Sequence, residues 1–281
     1  MFKPKTEKIR KIAELSPRVI EQLESLFAGD TNVYIDDANV RPWEQKIGWH
    51  IDYKRLKQFL DSFGNIKVIK IYKGTLDGDS DSENTIDNLK KLRYEVKTKS
   101  VKIMKHFIDI SSIKKSDISL LGQFIRKCLL KKYDIETVEY LNDKFGEMNA
   151  RGIYYIKDRK CNFDVEIGRD ILSDFEKNNP ETFILWSKDS DFVDPVEQLL
   201  KSKKRVSLFA TSGKVASEFQ EMKEKINKEM PDLGYYENLF IFDINKIKNF
   251  ICFGREIDGG SEKYSIERKG DPVKGPQAIK F

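Results

Sequence analysis

The sequence predicts an α/β fold built on a central, mainly parallel β-sheet, and three of its features support this prediction. Short apolar segments that are typical of buried strands recur along the chain, the first at residues 33–35. Between them lie segments with apolar residues at positions i, i+3, i+4 and i+7, as in residues 56–63, which are typical of amphipathic helices. The alternation of strands and helices favours parallel strands joined by right-handed crossovers.

The first part of the chain shows this alternation most clearly. Apolar residues at helical spacing around Pro17 predict one helix over residues 7–27, which precedes the core. After the helix that follows the first strand come a second strand, another helix and a third strand, predicted at residues 66–72, 86–92 and 94–103.

Residues 106–150 interrupt the alternation with two helical patterns, so we expect a helical insertion there. The alternation resumes with a helix that opens near Asp164. The remaining predicted elements are a strand at 183–186, a helix from Pro195, a strand at 206–209, a helix at 215–226 and an edge strand at 239–244.

This order of elements predicts three regions. Residues 1–29 form a helical extension, and residues 30–255 form the main α/β domain, with the insertion at about 106–150. Residues 256–281 contain several glycines and prolines and few apolar residues, so we expect a flexible tail.

The charge of the chain is too mild to prove that it binds nucleic acid. Hydrophobic residues make up 39% and charged residues 35%, and 51 basic residues stand against 46 acidic ones, for a net charge of +5. Solvated surfaces are the favoured interpretation of any single basic cluster. The basic clusters are Lys3, Lys5, Lys8, Arg10 and Lys11, then Lys97, Lys99, Lys102 and Lys105, and finally residues 201–205.

Cysteine usage and hydropathy predict a cytoplasmic protein. Cys128, Cys161 and Cys252 are widely spaced and form no CxxC pattern, which argues against both a disulfide framework and a zinc site. The basic N-terminus lacks the apolar segment of a signal peptide, and no segment approaches the length of a membrane span.

Three groups of carboxylates follow apolar segments, at residues 36–39, 164–170 and 189–191. The first and third groups follow predicted strands, and in an open parallel sheet ligands bind beyond the carboxyl ends of the strands. Acids gathered there repel one another unless protons or cations neutralise them. Oxygen ligands without histidine or cysteine favour Mg²⁺ or Mn²⁺ over zinc.

Each group also has a purely structural interpretation. Asp36 is typical of a residue that caps a turn after a strand, and Asp164 is typical of a helix N-cap. Aspartate and serine are common in loops, so residues 189–191 alone indicate little. The case for a metal site rests on all three groups occurring at the right points of one α/β sequence.

The motifs themselves resemble those of a known family. Residues 33–40, Val-Tyr-Ile-Asp-Asp-Ala-Asn-Val, are similar to the FIDGANL signature of NYN domains, a group of PIN-like nucleases, and especially of their LabA-like branch. Residues 48–53 resemble the segment that precedes the first core helix in that family. Residues 164–170 resemble the pattern DVxLxxD, and residues 186–193 resemble SGDSDFxP. The motifs follow the family order over about residues 31–215.

The resemblance implies a PIN-like (Rossmannoid) α/β/α sandwich with metal-dependent ribonuclease activity. It assigns catalysis and the binding of Mg²⁺ or Mn²⁺ to Asp36, Asp164, Asp189 and Asp191. The residues to which it gives a supporting role are Asn39, Ser190, Asp170, Asp37 and Lys188.

Three of the supporting residues carry specific expectations. Asp37 and Lys188 stand where the family usually has glycine. Lys188 either contacts the scissile phosphate or is solvated. Asp170 lies about 120° around a regular helix from Asp164, so a role behind the metal ligands is open to it.

The leading functional hypothesis is an endoribonuclease that hydrolyses single-stranded RNA. Basic residues of the insertion or of the N-terminal helix would hold the strand, and aromatic residues would stack on bases. DNA as a second substrate and a homo-oligomeric state stay open, and no membrane partner is expected. The residues predicted to contact RNA are Lys127, Lys131, Lys132, Trp43 and Trp49.

Two other classes of function are alternatives to this hypothesis. One is an NYN-type nucleic-acid-binding or scaffold module with a weak or inactive nuclease site, although every acidic position is retained. The other is a Rossmann-like phosphatase, but Asp36 lacks the DxDx(T/V) pattern of an aspartyl-phosphate enzyme. Neither a Walker A motif nor GxGxxG occurs, so a nucleotide cofactor is not expected.

Overall fold

The computed structural model describes residues 1–40, 48–125, 127–211, 217–229 and 238–252. The strands are β1 (Thr31–Asp36), β2 (Ile66–Thr75), β3 (Glu95–Ser100), β4 (Lys102–Phe107), β5 (Tyr155–Lys160), β6 (Thr182–Trp186), β7 (Arg205–Ala210) and β8 (Leu239–Asp243). Six of them form a parallel sheet in the order β3-β2-β1-β6-β7-β8, and β4 and β5 form a separate antiparallel ribbon. The predicted α/β class with a central parallel sheet is confirmed.

Helices cover both faces of the sheet. They are α1 (Glu7–Leu15), α2 (Pro17–Leu26), α3 (Tyr53–Leu60), α4 (Ser80–Lys91), α5 (Lys127–Leu130), α6 (Ile135–Ala150), α7 (Asp164–Lys177), α8 (Val193–Lys201), α9 (Ser217–Glu229) and α10 (Lys248–Ile251). No helix in the described part of the chain is long and apolar enough to cross a membrane.

The strand order creates a topological switch between β1 and β6. From β1 the chain builds β2 and β3 on one side, and it later returns to build β6, β7 and β8 on the other. Because all six strands are parallel, the carboxyl ends of β1 and β6 lie side by side, with Ile35 paired to Trp186. This edge is where open α/β sheets bind their ligands.

The side chains of β1 alternate between two apolar cores. Val33 and Ile35 pack with α1, α2, α3 and α10, whereas Tyr34 packs with α7, α8 and α9. Burying such an apolar side chain contributes about 1.5–3 kcal/mol, so this alternation fixes which way the strand faces. With a period of two, Asp36 lies on the same side of the sheet as Tyr34, toward α7.

The prediction of one helix over residues 7–27 is wrong, because two helices occupy this segment. Ser16 separates them with a non-helical backbone (φ −137°, ψ 50°), and Pro17 is the first residue of α2. Proline disfavours a helical conformation in the residue before it and suits the first position of a helix. Both helices pack on the core through most of the apolar residues that supported the prediction, whereas Leu15 is exposed.

The predicted third strand, residues 94–103, is also wrong, since it divides into β3 and β4. The backbone N–H of Val101 still bonds to Thr75 of the main sheet, but from Lys102 the chain leaves the sheet. It pairs instead with β5, which lies more than fifty residues further along the chain. Helices α5 and α6 lie between these two strands, within the predicted helical insertion. The predicted tail, residues 256–281, lies outside the described residues.

Candidate metal centre

Asp36 ends β1 and is buried, with 1% of its surface exposed. Its Oδ1 accepts hydrogen bonds from the backbone N–H groups of Ala38 (3.1 Å) and Asn39 (3.4 Å), and its Oδ2 accepts one from the Asn39 side-chain amide (2.6 Å). Burial raises the pKa of Asp36, and the bonds from Asn39 and Ala38 oppose that rise. Asn39, predicted as a supporting residue, is therefore the main residue that orients this carboxylate.

Asp164 is the first residue of α7 and is half-buried. Its backbone N–H donates to the Asn162 side-chain oxygen at 2.8 Å, and the buried ring of Phe163 anchors the start of the helix in the core. The N-cap position is occupied by Phe163, so the structural interpretation of Asp164 as an N-cap does not hold. A carboxylate in this first turn is stabilised by the partial positive charge of the helix terminus.

Asp189 and Asp191 lie in the loop that follows β6. The backbone N–H of Asp189 donates to Ser187 Oγ at 3.3 Å, and Asp189 Oδ1 accepts a weak bond from the backbone N–H of Asp191 at 3.4 Å. Ser190 opens a short 3₁₀ turn between the two aspartates, and Phe192 buries the end of that turn. Ser187 was not predicted, since a serine before an aspartate is common in loops.

The carboxylates of Asp164, Asp189 and Asp191 converge, with one oxygen atom of each lying within 4.8 Å of the others. Two half-buried aspartates and one exposed aspartate make up this group, which we call the acidic triad. Asp36, the fourth predicted ligand, lies outside the triad but close enough for its charge to raise the pKa of Asp164. The structure therefore brings three of the four predicted ligands together and places the fourth beside them.

Electrostatic repulsion within the triad is visible in the acidity of Asp164. Its pKa is raised to about 6, first by burial and then by the close approach of Asp191 and the charges of Asp189 and Asp36, and the Asn162 amide opposes this rise. A carboxyl group with a pKa near 6 is ionised at neutral pH only against the repulsion of its neighbours. A divalent cation among the three would remove that repulsion.

The donor set fits a hard divalent cation. Each member of the triad offers a carboxylate oxygen, which is the ligand type that Mg²⁺, Mn²⁺ and Ca²⁺ prefer. Lys188 lies in the same loop, is half-buried, and forms no ion pair within the described residues. Both of its predicted roles, contact with the scissile phosphate and simple solvation, stay open.

Asp170 lies on α7 away from the triad and anchors the helix to the sheet. It accepts a hydrogen bond from Tyr72 Oη at 3.0 Å, and one turn further Asp174 accepts bonds from Tyr34 Oη (2.6 Å) and Lys70 Nζ (2.8 Å). These contacts set the position of α7 on β1 and β2, and hence the position of Asp164. Asp170 thus lies outside the triad and contacts the sheet, and its supporting role stays a prediction.

Asp37 is neutralised by a lysine that sequence analysis did not identify. Lys73 Nζ lies 2.6 Å from Asp37 Oδ2, the two side chains are only 3% and 6% exposed, and Tyr53 Oη donates to the other carboxylate oxygen. The buried ion pair arises because Lys73 follows Tyr72, which is the register partner of Asp36. The additional carboxylate of Asp37 therefore has a structural role, because its contacts with Lys73 and Tyr53 hold the start of the turn that follows β1.

The residues predicted to contact RNA differ in their exposure to solvent. Trp49 is buried in the core that contains Val33 and Ile35, with 7% of its surface exposed, and its ring N–H donates to Asn245 at 3.2 Å. Neither face of its ring is therefore accessible for stacking on a base. The prediction that Trp49 stacks on RNA is therefore wrong for this conformation. Lys131 and Lys132 are exposed on the insertion, which leaves their predicted role intact. Trp43 and the side chain of Lys127 lie outside the described residues.

A cavity of about 410 Å³ lies at the same edge of the sheet, beyond the ends of β1 and β2. Its wall includes Asp37, Lys73 and Arg159, and also Cys161, whose thiol pKa is raised first by burial and to a smaller extent by the charges of Glu166 and Asp36. The cavity therefore adjoins the acidic site and could admit a segment of a substrate.

Comparison with known proteins adds a match to one family model over part of the chain. Comparison with curated proteins finds no match. Among solved structures, the chain is similar to a Vibrio parahaemolyticus protein of unknown function, with 14% identity over 79% of this chain and 96% of that chain and a TM-score of 0.43. Residues 107–227, which include the acidic triad and the predicted insertion, match the family model of the NYN domain. The predicted resemblance to the NYN domain of the PIN-like nucleases is thus confirmed over that segment, and the motifs at residues 33–40 and 48–53 lie outside it.

Proposed function

We propose that the protein is a divalent-metal-dependent endoribonuclease that hydrolyses single-stranded RNA. The observation that supports this most strongly is the acidic triad, because three carboxylates from two separate segments converge at the switch point of a parallel sheet. The NYN domain match supports a nuclease-type activity independently of that geometry. The LabA-like branch of the family stays a prediction.

Asp164, Asp189 and Asp191 would hold the cation, with Asp36 nearby and fixed by Asn39. When bound, Mg²⁺ or Mn²⁺ would supply a Lewis acid that lowers the pKa of water and neutralises charge on the phosphodiester. The exposed carboxylate of Asp191 faces the solvent, where an incoming phosphate can approach. The α7 contacts of Asp170 and Asp174 would keep Asp164 in place during the reaction.

The test is cleavage of a labelled single-stranded RNA by the purified protein in Mg²⁺ or Mn²⁺, with EDTA in a parallel reaction. Single-stranded DNA, duplex RNA and duplex DNA form the other arms and report on substrate preference. We expect internal cleavage of single-stranded RNA that needs metal and stops with EDTA. Asp189→Asn should abolish it, since one triad oxygen loses its charge.

Asp194→Asn is a matched control for this experiment. Asp194 is an exposed aspartate three residues after Asp191, in the first turn of α8, and it lies outside the triad. Its replacement should leave cleavage at the wild-type rate. Equal activity of the Asp189→Asn and wild-type proteins would indicate a contaminating nuclease. Absence of cleavage of any RNA in either metal would instead favour an inactive NYN-type binding module.

A further inference from the structure

The ribbon formed by β4 and β5 has two chemically different faces. Successive residues of a strand point to opposite faces, and directly paired residues of an antiparallel ribbon share a face. The pairs Ile103–Arg159, Lys105–Lys157 and Phe107–Tyr155 therefore define one face, which we call the outer face. The alternate pairs, Lys102–Lys160, Met104–Asp158 and His106–Ile156, define the inner face.

One end of the inner face packs toward the insertion, and its other four residues are exposed. His106 and Ile156 are the two half-buried residues of the ribbon, and the His106 ring lies 5.5 Å from the ring of Phe124. His106 also lies 3.7 Å from Asp158 on the same face. All six residues of the outer face, by contrast, are exposed.

The outer face combines positive charge with exposed aromatic rings. Lys105, Lys157 and Arg159 give it three positive charges and no negative one, and within the described residues no carboxylate pairs with any of them. Lys105 and Lys157 even lie directly opposite each other, an arrangement that costs stability through like-charge repulsion. The rings of Phe107 and Tyr155 are 66% and 39% exposed at the far end of the face.

The outer face is continuous with the edge of the sheet that carries the acidic site. Arg159 lines the cavity beside Asp37, at the end of the ribbon nearest the sheet. β5 ends at Lys160, only four residues before the triad member Asp164. Six residues of strand extend about 20 Å, so the outer face forms a path of that length leading away from the triad.

We infer that the outer face of the β4–β5 ribbon binds the backbone and bases of single-stranded RNA and guides it toward the triad. The inference rests on the proposed nuclease function, since the triad would be the destination of the strand. The cations would contact phosphates, and Phe107 and Tyr155 would stack on bases, which is how proteins bind single strands without regard to sequence. Lys105 Nζ lies 4.8 Å from the centre of the Tyr155 ring, so the positive charge and the aromatic ring are parts of one continuous surface.

Charge argues against a second copy of this chain as the occupant of the outer face. A second copy would oppose one positive outer face to another if the two ribbons met face to face. Phosphates, one for each nucleotide, match a row of cations that has no carboxylate within it. The inner face has an opposed lysine pair as well, Lys102–Lys160, so the outer face is distinguished by its exposed rings and by Arg159 at the cavity.

The test compares two double variants that each remove two lysines from the ribbon. Lys105→Gln with Lys157→Gln changes the outer face, and Lys102→Gln with Lys160→Gln changes the inner face. Binding of a fluorescently labelled single-stranded RNA is measured in EDTA over a range of salt concentrations. The outer variant should bind more weakly, with the slope of log affinity against log salt reduced by about 1.4, and the inner variant should stay close to wild type.

Phe107→Ala tests the stacking part of the inference. It should weaken binding by about fivefold or more while leaving the salt slope unchanged, since a ring is lost and no charge is altered. Circular dichroism and sedimentation of each variant report folding and oligomeric state. All of these positions are exposed, so we expect the fold to be kept.

Equal losses of affinity in the outer and inner variants would overturn the inference, as would a wild-type protein that binds no single-stranded RNA. A changed oligomeric state with unchanged RNA affinity would show that the face joins copies of the chain. The experiment also distinguishes failure of the proposed function from failure of the inference. If RNA binds through the outer face but is not cleaved in Mn²⁺, the proposed nuclease activity is refuted and the inferred binding surface is supported.

Discussion

Replacing Asp191 by asparagine should remove most of the stabilisation that Mn²⁺ gives the protein without weakening the metal-free fold. Asp191 is the exposed member of the triad, and its carboxylate approaches Asp164, whose pKa it helps to raise. In the absence of metal, Asp191→Asn removes one of several like charges and keeps the side-chain shape. The melting temperature of the metal-free variant should therefore equal or exceed that of the wild type.

The size of the metal effect follows from binding linkage. At a Mn²⁺ concentration of a hundred times Kd, the wild type should gain about 2.7 kcal/mol, which is about 5–10 °C for a protein of this size. Loss of a direct ligand should weaken binding at least as much as the roughly hundredfold seen for the strongest supporting residues. The variant would then gain about 0.4 kcal/mol, or about 1 °C, at the same concentration.

Thermal melts of both proteins with EDTA and with Mn²⁺ measure these shifts directly. Asp194→Asn again provides the control, because it removes an exposed aspartate outside the triad and should keep the full Mn²⁺ shift. Equal Mn²⁺ shifts in Asp191→Asn and wild type would refute Asp191 as a ligand. A metal-free variant that melts lower than wild type would show that the carboxylate has a folding role instead.

Two further predictions concern the residues around the triad. Lys73→Met should destabilise the protein by about 3–5 kcal/mol, because it leaves the buried Asp37 carboxylate without this cation, and adding Asp37→Asn should restore most of the loss. Urea denaturation of the two single variants and the double variant measures this coupling, and additive effects would contradict it. Affinity for Mn²⁺ should rise steeply between about pH 5 and pH 7, because the pKa of Asp164 is raised to about 6 and a ligand must lose its proton before it binds metal. Calorimetric titration over that range tests this, and a flat profile would exclude Asp164 as a ligand.

The two central strands could be predicted because they contain short, continuous apolar segments followed closely by acids. Residues 33–35 and 183–186 are such segments, and the structure places both in adjacent central strands. Their neighbouring carboxyl ends follow from parallel strand order alone, so the approach of the acids at residues 36–39 to those at 189–191 could be expected. Asp164 joins them from the start of α7, which follows no strand of the main sheet. Which carboxylates belong to the triad could not be predicted, because this depends on distances of a few ångströms between their oxygen atoms.

What the sequence did not reveal depends on contacts between distant residues. The division between β3 and β4 lies near Val101, where basic and other residues are still interspersed on both sides although the alternation changes phase after Lys99, and the partner strand β5 is more than fifty residues away. The ion pair of Lys73 with Asp37 likewise depends on the register of β1 against β2. A lysine after a strand is ordinarily solvated, so no local signal distinguished this one.

The buried position of Trp49 has a similar origin. Its ring N–H finds its acceptor in Asn245, which lies in the last described segment of the chain. An isolated tryptophan in a polar segment gives no indication of a partner so far along the sequence. Short-range sequence patterns predicted which helices and strands form. Long-range contacts determined which side chains are buried and which are accessible to a ligand.

The most direct test of the metal centre is anomalous X-ray scattering from crystals of the protein grown or soaked with Mn²⁺. We predict a single strong peak among the carboxylates of Asp164, Asp189 and Asp191, at about 2.0–2.3 Å from one oxygen of each. The peak should be absent from crystals of Asp189→Asn prepared in the same way. A peak elsewhere, or no peak at saturating Mn²⁺, would contradict the assignment of the triad as the metal site.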